Sequence, residues 1–352
     1  MRGRARNRPF GMSRHYTTRP RSDARAARTR STRPADHYRV SVNTSTAPHR
    51  PARALPTGTQ HTLTRGDARV VVAAVGASLR EYTVGGVDVV LPFAETESAP
   101  AYSGAVLAPW PNRLTDGEYA FDGTDYEVPV TEHARRTALH GLVAYVAFTA
   151  SEHTDDRLVL EHTIVPTPGY PWSVHLAVAY TLDDEGLRIE VTAANVDETT
   201  APYGIGFHPW LSPGDATVDE CTLQVDADVH VTVDDRLLPT GTEPVSGTFD
   251  LRTAVPLRGV ELDDAWVGVT RDDAGLSWIR LGRPDGRTVA MWADESFVAW
   301  QVCTGDGIPR LDRRGVAAEP MTCVADAFRT GTDLVRLEPR ASHRVAWGLR
   351  LL

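Results

Sequence analysis

From residue 157 to residue 194 the chain alternates apolar and polar residues, and this period of two constrains the fold more than any other feature. Arg157–Ile164, residues 173–182 and residues 187–194 each repeat it, with Asp184-Glu185-Gly186 as the last turn. A period of two places successive side chains on opposite faces of a strand. Further β-rich runs cover residues 69–75, 79–84, 87–91, 222–234, 266–270, 276–281, 289–293, 297–302 and 343–352. Gly85-Gly86 and Asp122-Gly123 supply the positive φ of tight hairpin turns, the second joining Glu118–Phe121 to residues 124–128. No stretch holds an apolar period near 3.6 over three turns, and residues 325–328 read as one helical turn. The pattern predicts an all-β protein with too many strands for a small sandwich. With no linker and no repeat to mark a boundary, residues 56–352 read as a single large antiparallel β domain.

Residues 1–55 read differently. Residues 1–53 carry fourteen Arg against Asp23 and Asp36, a net charge of +12, which leaves −21 on the rest of a chain of net charge −9. This Arg-, Pro-, Ser- and Thr-rich stretch has too little apolar surface to offset its chain entropy and is expected to be a disordered arm. An over-long start site, with Met12 as a later one, is favoured over a nucleic-acid or membrane arm or a transit peptide. The chain has no Lys, so its Arg clusters reflect a general preference for Arg. The acidic body argues against a nucleic-acid partner, and no run approaches the roughly 20 apolar residues of a membrane span. Cys221, Cys303 and Cys323 are isolated. They suit neither a disulfide framework nor a structural zinc site, and a cytoplasmic location is expected.

Chemistry concentrates in a few places. Pro111 lacks an amide donor, so Trp110-Pro111-Asn112-Arg113 should be a loop delivering Asn112 and Arg113 at a sheet end. A guanidinium there can bind hydroxyls or an anionic group. His140-Gly141 follows an apolar run. A strand ends at His208 in Gly206-Phe207-His208-Pro209-Trp210, where an imidazole can give or take a proton and Trp210 can stack on a sugar ring or fill the core. Asp263 and Asp264 precede a strand. Glu319 stands in the apolar, Pro-broken segment Val316–Met321, where burial would raise its pKa towards that of a useful general base. For each residue taken singly the plainer reading is a capped turn, a half-buried His, a core Trp or a rim Glu. No P-loop, GxSxG, HExxH or GxGxxG motif occurs.

Taken together, the segments around Trp110–Arg113, Leu139–Gly141, Gly169–Trp172, Pro202–Pro209, Leu262-Asp263 and Ala318–Cys323 resemble, in order, the motifs of the aldose 1-epimerase (galactose mutarotase) family. The resemblance runs from about residue 59 to the C-terminus. It implies a β-supersandwich and a cofactor-free, metal-free interconversion of the α and β anomers of a free aldose such as galactose or glucose. Glu319 matches the family's general base, His208 its general acid and His140 its second active-site histidine. Arg113, Asn112 and Asp263 match sugar-binding positions. The partner implied is a small sugar. Departures are Trp210 for a usual Tyr, Asp264 where many members have His, and Arg340 for a common Gly. A hexose-6-phosphate 1-epimerase, needing a basic rim from Arg113, Arg135 and Arg136, and a non-catalytic sugar-binding module of the same fold are the alternatives.

Overall fold

Every pairing between the named strands is antiparallel. The computed structural model describes residues 54–352, so the arm expected over residues 1–55 lies almost wholly outside the described residues. A nine-stranded sheet runs in the order Thr149–His153, Arg157–Ile164, Val174–Asp183, Gly186–Asn195, Ser342–Leu351, Thr288–Ala293, Ser277–Gly282, Thr222–Val225, Val255–Pro256. An eight-stranded sheet follows Pro239–Pro244, Ala227–Val233, Asp263–Val269, Ala299–Cys303, Val316–Met321, Gly206–Phe207 and Val106–Leu107, with Trp210–Leu211 paired to Val316–Met321 beside this path. The two sheets share one core. Phe207 from the second meets Trp347 from the first at 5.0 Å between ring centroids, and the Trp300 indole donates to Ser277 Oγ. Trp266, Trp300 and Trp347 are fully buried, each worth roughly 1.5–3 kcal/mol or more by apolar burial. This is the all-β sandwich that the alternation implies. Among the described residues no helix is long and apolar enough to cross a membrane.

Three expectations change. Residues 222–234 form two strands in different sheets, because Asp226 is where the chain passes between them. Its N–H donates to Trp278 O and its carbonyl accepts from Thr270 N. The helical turn lies at Ala327–Thr330, slightly later than expected. Residues 316–321 are a buried central strand despite Pro320. The neighbouring strand is interrupted between Phe207 and Trp210, so a missing amide is tolerated there.

Candidate active site

That interruption makes the site. Pairing of Gly206 with Met321 and of Trp210 with Ala317 keeps one register but leaves a gap in the ladder at Phe207-His208-Pro209, opposite Ala318-Glu319-Pro320. The backbone of His208 is pinned there, its N–H donating to Ala105 O at 3.2 Å and its carbonyl accepting from Gly104 N at 2.8 Å. Its Nε2 lies 3.3 Å from Glu319 Oε1. Glu319 is 2% exposed, and both His208 Nδ1 and Glu319 Oε2 lack a protein partner among the described residues.

A second pair of loops brings His140. Gly141 bridges Ala108, Leu142 N–H donates to Ala108 O at 2.7 Å, and His140 N–H donates to Asn112 O at 2.9 Å. In return the Asn112 N–H donates to His140 Nδ1 at 3.1 Å. That bond fixes the tautomer: with Nδ1 accepting, the neutral ring carries its proton on Nε2. The His140 and His208 rings stand 5.3 Å apart, nearly perpendicular. His140 adopts φ +61, a left-handed backbone uncommon for a side chain of this size.

The polar side continues from these loops. The Asn112 amide donates to Gln301 Oε1 at 3.2 Å, and the Gln301 amide donates to Asp263 Oδ1 at 2.8 Å. Gln301 pairs in register with Glu319, and Asp263 with Cys303. Arg113 Nη2 lies 3.8 Å from Asp263 Oδ2, and its Nε donates to Glu132 Oε2 at 2.9 Å. These residues line a cleft of about 550 Å³. Asp264 instead turns away to His230, 3.0 Å from its Nε2.

Of the seven residues singled out in the sequence, Glu319, His208, His140, Asn112, Arg113 and Asp263 meet in this cleft. Trp210, the seventh, also lines the cleft. It reaches the wall only 1% exposed, packs with Cys303, Leu311 and Ala317, and lies nearly parallel to His208 at 5.7 Å. It supports the imidazole and offers almost no open face to a sugar. The more accessible aromatic is Tyr102, edge-on to His140 at 4.5 Å and half-buried. Sequence reasoning missed Tyr102, Gln301 and Glu132. Only Gln301 left a signal, as the polar residue of the otherwise apolar strand Ala299–Cys303.

Burial dominates the electrostatics. It raises the Glu319 carboxyl well above its ordinary value, helped by the nearby Asp263 charge and opposed by Arg113. It pushes the His208 imidazole down to about 4 and lowers His140 too. Both shifts have the same main cause, burial, and both favour the uncharged form of the group. His140, His208 and Glu319 could each offer one atom to a metal, all within 4.8 Å of one another. The Asn112 bond argues against that use, because a neutral His140 ring keeps a proton, and no lone pair, on Nε2.

The family model of aldose 1-epimerase matches residues 59–349. The uncharacterized Escherichia coli K12 protein YihR is 33% identical over 297 residues, covering 82% of this chain and 91% of that one. The galactose mutarotase of Mus musculus is 33% identical over 188 residues, 50% of this chain and 54% of that one, so the chain spans about half the length of this relative. A solved aldose epimerase homologue from C. elegans superposes with TM-score 0.73 at 20% identity, over 84% of this chain and 98% of that one, a likeness of fold.

Proposed function

The chain belongs to the aldose 1-epimerase family, and from that premise we propose that it interconverts the α and β anomers of a free, uncharged aldose of the galactose or glucose type. The observation that carries this reading is the buried Glu319–His208 pair, 3.3 Å apart beside His140 in an open cleft. Binding alone needs no such pair, which counts against a non-catalytic sugar module.

The chemistry follows from the atoms. Ionised Glu319 takes the proton of the C1 hydroxyl, the C1–ring-oxygen bond breaks, and the ring oxygen takes a proton from His208. The open-chain aldehyde rotates about C1–C2. The ring oxygen then attacks the other face of C1, returning its proton to His208 as the new C1 oxygen recovers one from Glu319. His140, with its proton fixed on Nε2, donates a hydrogen bond on the ring-oxygen side. Arg113, Asn112 and Asp263 hold the hydroxyls.

The pair must hold one proton in this scheme. Ionised Glu319 with protonated His208 has the same proton count as neutral Glu319 with neutral His208, so the active form is a tautomer of the uncharged pair. A second proton arrives on the acid side, near the His208 value of about 4. The last proton leaves on the alkaline side, above the ordinary carboxylate range, because burial raises Glu319. A plot of kcat/KM against pH should therefore be bell-shaped. A profile that rises and never falls would assign the acid role elsewhere.

Arg113 contributes binding. Its contact with the sugar is present before and during ring opening, so Arg113→Ala should raise KM roughly ten- to a hundredfold, the worth of a charged hydrogen bond, with kcat little changed. Steady-state kinetics showing a loss confined to kcat would move Arg113 into the proton-transfer machinery.

Polarimetry of freshly dissolved α-galactose and α-glucose, each beside its 6-phosphate, tests the proposal. The free sugars should relax faster than in buffer. Acceleration of the 6-phosphates alone would replace this reading with that of a hexose-6-phosphate 1-epimerase.

A further inference from the structure

We propose that Glu132 is the specificity-determining residue of the cleft: its carboxylate fills the seat between two guanidiniums that an anionic substituent of a sugar would otherwise take. The inference rests on reading the cleft as an aldose site and deepens it to uncharged substrates.

Glu132 opens a tight turn, its carbonyl accepting from Arg135 N at 3.3 Å and Thr137 N at 3.2 Å. The turn runs straight into Thr137–Leu139, which pairs with Arg113–Thr115. The carboxylate is thereby set against the Arg113 side chain. It receives four donors. Arg113 Nε at 2.9 Å and Thr137 Oγ1 at 2.6 Å reach Oε2, while Arg113 Nη2 at 3.3 Å and Arg135 Nη1 at 2.9 Å reach Oε1. Burial acts to raise this carboxyl, but the hydrogen bonds from Arg113 and Thr137 and the two positive charges outweigh it, so Glu132 stays ionised.

Arg136 and Arg236 stand behind this corner, each 3.0 Å from Asp116. Arg113, Glu132 and Arg135 all line the cleft, and Arg135 Nε is buried without a partner among the described residues. Two planar forks converging on one point suit a phosphate, sulfonate or carboxylate. Glu132 is already such an anion, supplied by the chain. It neutralises the buried Arg113, leaves only Nη1 of that fork without a protein partner among the described residues, and sets a fixed negative charge where a charged sugar substituent would approach. Like charges so placed oppose binding strongly.

The test is Glu132→Gln, which keeps the side-chain shape and removes the charge. Isothermal titration with inorganic phosphate and with galactose 6-phosphate reads the effect without needing turnover. Both ligands should bind at least about tenfold more tightly than to the parent protein. The double variant Glu132→Gln/Arg135→Ala should lose that gain. A purely structural role for Glu132 would lower melting temperature and weaken sugar binding, but would not raise affinity for an anion. Unchanged phosphate affinity in folded Glu132→Gln would overturn the inference. So would a parent protein that binds galactose 6-phosphate as tightly as galactose, or a double variant that keeps the gain. If the parent shows no mutarotation while Glu132→Gln still gains phosphate binding, the functional reading fails and the role of Glu132 stands.

Discussion

Glu319→Gln is expected to lower kcat by about 10²- to 10⁴-fold, the usual worth of a general base. The substitution keeps the volume of the side chain and leaves Arg113, Asn112 and Asp263 in place, so sugar affinity should survive. The same variant should be more stable than the parent, and the sign follows from burial. The folded-state pKa of Glu319 lies well above the ordinary carboxyl value of 4.5. Below that value both folded and unfolded chains are protonated and the residue costs nothing by this route. As pH rises through 4.5 the unfolded chain ionises first, and the folded state loses ground until Glu319 itself ionises, by up to about 1.4 kcal/mol per pH unit. Glutamine does not titrate. The melting-temperature difference between variant and parent should therefore be larger at pH 8 than at pH 5. A parent-like kcat, or a stability difference that shrinks towards pH 8, would remove Glu319 from its role.

Gly141→Ala should cost more than about 3 kcal/mol of stability. Gly141 has φ +71, and an added Cβ would lie 2.2 Å from Ala108 O and 2.5 Å from Ala108 C. Neither is a flexible side-chain end, so the backbone itself must move. That movement separates the two loops whose reciprocal bonds hold His140 and Asn112, and sugar binding should fall with stability. Gly123→Ala is the comparison. It has φ +79 but open space around the new Cβ, so it should cost only about 1 kcal/mol of backbone strain. Urea denaturation of the two variants, read as midpoint shifts at constant slope, checks the difference. Equal costs would mean that the Ala108–Gly141 contact does not hold the site.

Much of this was legible in the sequence because the physics is local. The Asp122-Gly123 hairpin pairs Phe121 with Thr124 as expected, with φ +49 and +79 at the two turn residues. Arg157–Ile164 forms with the predicted ends because its alternation matches one buried and one open face. The catalytic candidates stood out because each breaks an apolar context. What failed was whatever depends on a distant partner. The alternation around Asp226 continues unbroken, so nothing local reveals that the chain changes sheets there. Pro320 reads as a breaker until the gap opposite His208 is seen. The sequence leaves Trp210 open between sugar platform and core, and its near-complete burial beside Ala317 is set by the strand pairing. Glu132 lies in an unremarkable polar turn, and only the pairing of residues 137–139 with residues 113–115 carries it to Arg113.

The central claim is that the Glu319–His208 pair moves protons on and off a free aldose. Two-dimensional NMR exchange spectroscopy on equilibrated galactose tests it most directly, because it detects anomer interconversion with no net reaction. With the parent protein, cross-peaks linking the α and β anomeric protons should appear at mixing times too short for uncatalysed exchange, and with Glu319→Gln they should vanish. Cross-peaks of equal intensity from the two proteins, or none from either with any free aldose, would contradict the account.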